Sequence, residues 1–345
     1  MLLSYPLQYA GNPRETADQV VELEKAGLDL VWVAEAYGFD APTLMGYLAA
    51  KTERLQIGSG ILNVFSRTPG AILQTAAGLD NVSAGRAVLG LGASGPQVIE
   101  GFHGMPYDKP LGCTREVIRL VRSGLKREPL ESHNEFFDIP LSPGKGLGLG
   151  KPLKILVKPE RDTIPIWIAS LGDKNVQMTA ELADGWLPIM FVPEKARDVW
   201  GDSLDAGAAK RDPELGPLQI SAGGMLAIGE GPETKALLEF LRPMYALYVG
   251  GMGARGKNFY NELACQYGYE REAKEIQDLY LDGKKKEAEA LVPMEWIEAS
   301  NLVGPTSYVQ ERIAAFDEAG VSHLSIVPVG EDPVGLVSQV KGWTS

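Results

Sequence analysis

Eight short runs of apolar, often β-branched residues recur along this chain, separated by segments whose apolar positions return at helical spacing. Near-continuous apolar runs fit strands covered on both faces, and parallel strands need a crossover between them, so the pattern restricts the chain to α/β architectures. The strand-like runs cover 2–7, 28–34, 55–61, 87–89, 164–169, 186–189, 219–228 and 322–327. Asn12-Pro13 opens the first helical pattern, with Pro at an N1-like position and Glu15 in the first turn. Further helical patterns fall over 42–51, 70–82, 114–125, 175–183, 194–208 and 307–319. Eight strands alternating with helices predict a (β/α)8 TIM barrel, a single domain over 1–345, in preference to a doubly wound open sheet with a second helical domain. Two stretches break the rhythm. Residues 126–161 hold FFDIP and then PGKGLGLGKP, which read as a hairpin and a Gly-rich excursion. Residues 232–301 exceed one barrel helix and read as helices over 233–248, 258–267, 270–281 and 284–291. Both are expected as insertions after strands 4 and 7, over the C-terminal face where barrel active sites lie.

Composition removes several function classes. The chain carries 45 Asp and Glu against 33 Lys and Arg, a net charge of −12, which argues against a general nucleic-acid surface. No run approaches the ~18 apolar residues of a membrane span, and the first residues lack a secretory pattern. Two cysteines, Cys113 and Cys265, cannot make a disulfide framework, so a cytoplasmic location is expected. The three histidines are scattered, with no HxxxH or CxxC, and no metal site is expected.

Gly90-Leu91-Gly92-Ala93-Ser94-Gly95 follows the fourth strand and matches GxGxxG. A dinucleotide-binding reading fails on its second half, because Pro96 and Gly101 interrupt any long helix opening there. A tight turn, or a loop whose N–H groups cradle an anion, remain as readings. A second loop of this kind, Ala169-Ser170-Leu171-Gly172-Asp173-Lys174-Asn175, enters a helix after the fifth strand, where unpaired N–H groups favour an anion. Two such loops on adjacent strands favour a phosphate-bearing ligand.

The order of phrases VWVAEAYGFDAPT, FSRTP, LDNVSAGRAVLGLGASGPQVIEGFHG and PIWIASLGDKNV resembles the bacterial luciferase-like superfamily over essentially the whole chain. Within it the chain is similar to the branch that uses the deazaflavin coenzyme F420, typified by methylenetetrahydromethanopterin reductases and actinobacterial oxidoreductases. The resemblance implies a cytoplasmic homodimer that passes a hydride between coenzyme F420 and a small organic substrate. It implies a bulge with a non-prolyl cis peptide at Gly60-Ile61 against the ring, with Asn63 at the ring edge and Glu35, Ala36 and Tyr37 contacting it. Gly92, Ala93, Ser94, Gly95, Pro96 and Gln97, together with Ala169, Ser170, Leu171, Gly172, Lys174 and Asn175, match the loops that hold the ribityl chain and phosphate. Some relatives carry a His where this chain has Ala36, which sets this chain apart from sugar-phosphate dehydrogenation. Glu35 is the first candidate for moving a proton, His103 the second, with Gln8 and Tyr9 as pocket donors. The plainer readings are that Glu35 only accepts hydrogen bonds and that His103 is a packed loop residue. Two alternatives stand beside this one: an FMN-dependent monooxygenase on the same barrel, and a non-catalytic ligand-binding barrel.

Overall fold

The strand-like runs pair in the order in which they occur and the last returns to the first. In the computed structural model, which describes residues 1–7 and 11–344, the barrel strands are β1 Leu2–Leu7, β2 Leu30–Val33, β3 Gln56–Ser59, β4 Ala87–Gly92, β5 Ile166–Ala169, β6 Gly185–Leu187, β7 Gln219–Ile228 and β8 His323–Pro328. Gln8 and Tyr9 lie outside the described residues. All neighbours are parallel, and Leu2 of β1 pairs with His323 of β8, which closes the (β/α)8 barrel. The helices are α1 Pro13–Lys25, α2 Ala41–Lys51, α3 Pro69–Val82, α4 Pro110–Leu125, α5 Asp173–Leu182, α6 Pro193–Ala208, α7 Thr306–Glu318 and α8 Pro333–Thr344. Asn12 caps α1 by accepting the Arg14 and Glu15 N–H groups. Asp29 accepts from the Leu3 N–H and from Lys341 Nζ, both at 2.7 Å, which ties α8 to the first two strands.

Side chains of alternate strand residues fill the lumen. Leu30, Trp32, Val88 and Trp167 form one buried cluster, with the two indoles edge to face at 5.2 Å. Trp32 Nε1 donates to Ser221 Oγ, which also bonds Ser4 Oγ, so the polar atoms of this plug are paired. Glycines make the room. A Cβ on Gly58 would stand 2.4 Å from the Trp32 ring, and one on Gly185 would stand 2.1 Å from Trp167.

The third strand is interrupted. Gly58 pairs with Val88, yet Leu62 of the short strand Leu62–Asn63 pairs with Leu91, so four steps on one strand match three on the other. That is a one-residue bulge. Ser59 Oγ repairs the ladder there by donating to the Gly90 carbonyl at 2.8 Å and accepting the Gly90 N–H at 3.0 Å. The Gly60–Ile61 peptide within the bulge is cis, as the resemblance implied.

The two insertions correct some expectations. The first leaves after α4, at the opposite end of the barrel from the mouth, and then climbs back along that helix. Arg119 donates to the Glu131 carbonyl, Ser132 to Glu116, and Phe136 packs on Gly112. The predicted hairpin is the pair Ser132–His133 and Asp138–Ile139. In the second insertion the single helix over 233–248 is broken into short pieces, Pro232–Ala236, Leu237–Leu241 and Arg242–Ala246. Pro243 has no N–H and its ring opposes the carbonyl four residues back, so it starts a new helix instead of continuing one. Helix Met294–Ala299, strand Leu302–Gly304 beside β7, and α8 were not expected. No helix among the described residues is long and apolar enough to cross a membrane.

His323, buried in the lumen 5.0 Å from the Trp167 ring centre, is pushed down by burial to a pKa of about 4. The unfolded chain binds that proton first, so the stability gained from neutral His323 is complete above pH 6.5 and is lost as pH falls towards 4. The loss amounts to about 3 kcal/mol. Urea midpoints at pH 7.5 and 4.5 should differ more for wild type than for His323→Gln; equal differences would contradict this. Adding a methyl at Gly185 overpacks the lumen and should cost about 1–3 kcal/mol, read as a lower urea midpoint for Gly185→Ala.

Candidate active site

Three loops at the C-terminal ends of β2, β3 and β4 meet through side chains. Glu35, just past β2, is buried, and both its oxygens are taken. Arg67 Nη1 donates to Oε1 at 2.6 Å and Nη2 to Oε2 at 2.7 Å, while the Ala41 N–H donates to Oε2 at 3.0 Å. The same guanidinium reaches Asp40 at 2.7 Å, and Asp40 in turn caps α2 through Thr43. The hydrogen bonds Arg67 donates to Glu35 push its pKa up against the opposing effect of burial. A bidentate carboxylate–guanidinium pair of this kind fixes geometry as well as charge. Both Glu35 oxygens thus accept hydrogen bonds, and the pair anchors the β3–α3 loop to the β2–α2 loop. Arg67 was visible in FSRTP, but nothing in the sequence says which carboxylate a loop arginine will reach.

Ala36 has φ +41 and Ser94 has φ +60, left-handed values that favour glycine. Such residues in the loops after β2 and β4 mark backbone that its surroundings dictate. Tyr37 is exposed, and its ring lies 6.4 Å from Phe102. Phe102 meets His103 edge to face at 5.1 Å, and His103 Nε2 lies 3.4 Å from Asn63 Nδ2. The structure thus brings Tyr37, Asn63 and His103 together, with Phe102 between Tyr37 and His103. Asn63 is buried where the bulge returns the chain to β4.

Below these residues the Ile61 side chain lies over Gly92. A Cβ on Gly92 would stand 2.6 Å from Ile61 Cδ1 and 3.5 Å from Ala169 Cβ, so Gly60-Ile61, Gly92 and Ala169 converge at one level. Ala93 and Ser94 are half-buried, and Tyr107 Oη donates to the Ser94 carbonyl at 3.1 Å. Gly95 precedes the short helix Pro96–Gly101, whose first residues Pro96 and Gln97 are exposed. A Cβ on Gly95 would meet only Gln97 Oε1, at 3.4 Å, so space stands open over this loop.

The second loop differs from its expectation. Ser170 Oγ is buried and bonded to Thr179 Oγ1 at 2.8 Å, so its hydroxyl is spent within the fold. The Ser170 and Leu171 carbonyls accept from Trp186 and Trp200. Lys174 lines an outer groove with Leu111, Arg115 and Glu181 rather than the mouth. What remains for a ligand is the N-terminus of α5, which no side chain caps, and Asn175 Oδ1, a buried atom with no partner. Phe259 from the second insertion lies 3.1 Å from where a Gly172 Cβ would stand, so that insertion covers this loop. Tyr267 holds the insertion down: its Oη donates to the Met190 carbonyl and accepts the Val192 N–H. Among the described residues no group of His, Cys, Asp and Glu could hold a metal ion.

Three comparisons bear on this geometry. A Mycobacterium tuberculosis protein, Rv3520c, provisionally named a coenzyme F420-dependent oxidoreductase, is 37% identical over 333 residues, 94% of each chain. The coenzyme F420-dependent tetrahydromethanopterin reductase of Methanopyrus kandleri has the same fold, with a TM-score of 0.78 at 21% identity, covering 99% of this chain and 97% of its own. The oxygenating constituent of 3,6-diketocamphane monooxygenase from Pseudomonas putida, solved with FMN, also shares the fold, with a TM-score of 0.63 at 15% identity, covering 99% of this chain and 96% of its own. The luciferase-like monooxygenase family model matches residues 3–323. That span runs from β1 to the first residue of β8 and takes in the mouth loops that follow β1 to β7, and the chain belongs to that family.

Proposed function

We propose that this barrel is a coenzyme F420-dependent oxidoreductase acting on a small organic substrate. The observation that carries the reading is the convergence of the β3 bulge, the open Gly92–Gln97 loop and the uncapped start of α5 on one side of the mouth. Likeness to Rv3520c over nearly the whole chain supports the deazaflavin over FMN. When bound, the deazaflavin supplies two-electron hydride chemistry, with carbon in place of the central ring nitrogen disfavouring reaction with oxygen.

The residues present fit such a group. The bulge at Gly60 and Ile61, with Gly92 beside it, would face its ring. Backbone N–H groups between Ala93 and Gln97 and in the first turn of α5 suit its phosphate, and the unpartnered Asn175 Oδ1, an acceptor, suits the ribityl hydroxyls. Ala36, Tyr37 and Asn63 would stand at the ring's edge. Glu35 and Arg67 do no proton chemistry; they hold two of these loops together. Of the two side chains expected to move a proton, Glu35 and His103, this leaves His103. Tyr37 and Phe102 give the substrate an aromatic wall.

The test is a parallel titration of the purified protein with oxidised deazaflavin and with FMN, followed by fluorescence. The deazaflavin should bind, and Gly95→Val should weaken it at least ~10-fold, about 1.4 kcal/mol, without unfolding the protein. Binding of FMN alone would overturn the reading. Gly172→Val is the poorer probe, because its side chain strikes Phe259 first.

The anchoring role of Glu35 has its own outcome. Arg67→Met leaves a buried carboxylate unpaired and should cost about 3–5 kcal/mol in urea unfolding. Adding Glu35→Gln to that variant should return most of the loss. A double variant as unstable as Arg67→Met alone would contradict the pairing.

A further inference from the structure

We propose that Asn63 fixes the tautomer of His103, with the proton on Nδ1 and the lone pair on Nε2. This makes Asn63 a positioning residue, and it rests on the reading above only where it gives His103 work to do. Asn63 Oδ1 accepts two backbone N–H groups, from Phe65 at 3.1 Å and from Ser66 at 2.7 Å. Turning the amide over would press its NH2 group against both donors, so its orientation is set by the turn it closes. Nδ2, a donor only, then faces His103 Nε2 at 3.4 Å. The ring nitrogen opposite a donor must offer a lone pair, and a neutral imidazole then carries its proton on Nδ1.

The contact is long and contributes little by attraction. Its effect is discrimination, because the other tautomer sets N–H against N–H. Among the described residues no second hydrogen bond competes for the ring nitrogens. None of the ion pairs among the described residues includes His103, and its Nδ1 has no hydrogen-bond partner among them. Titratable groups on the adjoining segments are engaged elsewhere: Glu100 accepts the Tyr107 N–H, Tyr107 Oη donates to the Ser94 carbonyl, and Glu35 and Arg67 hold each other. Tyr37 reaches the ring only through Phe102. His103 therefore offers the mouth a hydrogen-bond donor, which suits a substrate whose reacting centre carries an acceptor atom, such as a carbonyl or imine.

The chain has three histidines, so selective 15N labelling gives a spectrum that can be read in full. Long-range proton–nitrogen correlation at pH 8, with His103 assigned through its loss in His103→Gln, reports which nitrogen bears the proton. Wild type should show Nδ1–H. Asn63→Asp keeps an oxygen for Phe65 and Ser66 and sets a second, accepting oxygen opposite Nε2, so it should invert the pattern to Nε2–H in a folded protein. Wild-type His103 protonated on Nε2, or an unchanged pattern in folded Asn63→Asp, would overturn the proposal. Turnover of Asn63→Asp with the deazaflavin should fall at least ~10-fold, because His103 Nδ1 would no longer donate to the substrate. Inversion of the tautomer with full turnover would leave the lock standing and remove His103 from the chemistry.

Discussion

One mismatch between two strands governs how the mouth is built. Where β3 and β4 fall out of step by a residue, Ser59 takes over the missing ladder bonds, and the chain re-enters the sheet at Leu62. The close approach requires Gly90, where a Cβ would stand 1.8 Å from the Ser59 carbonyl oxygen. Without the extra residue, everything after Gly60 would turn by one position, and strand side chains would exchange faces. Asn63 would leave His103, and Arg67 would leave Glu35. The bulge thus turns a regular barrel strand into the edge of a site.

Around that edge the molecule divides its work. The lumen is a packed plug of two indoles, two serines and a histidine, which gives the floor a rigid base. The loops above it are tied to one another by a few directed contacts instead of a continuous core. The Glu35–Arg67 pair couples two loops, and Asn63 with His103 couples the second to the third. The long insertion is fastened at Met190 and Val192 by one buried tyrosine, and it brings Phe259 down on the α5 loop. Directed contacts at this level leave exposed aromatic surface for a substrate to cover.

The barrel was legible because its signals are local. Apolar runs, Asn12 before Pro13, and Gly27 at φ +107 after α1 each report on their own neighbourhood. The identity of the mouth loops was legible through resemblance, which placed the cis peptide at Gly60-Ile61. What escaped was long-range. Glu35 meets Arg67 across 32 positions, and no spacing rule links two separate loops. Ser170 was expected in a phosphate-holding loop, and its partner Thr179 lies nine positions on, inside α5. Lys174 looked available for a phosphate, but its place on α5 aims it at the groove beside Arg115. The second insertion misled through Pro243, which lies inside an otherwise continuous helical pattern.

The central claim is that the bulge and the two Gly-containing loops hold one deazaflavin between them. A crystal structure of the protein with the oxidised deazaflavin bound tests this most directly. The ring should lie against Gly60-Ile61 and Gly92, with the phosphate among the backbone N–H groups between Ala93 and Gln97 and those of the first turn of α5. Density for the cofactor elsewhere, with those loops holding only water, would contradict it.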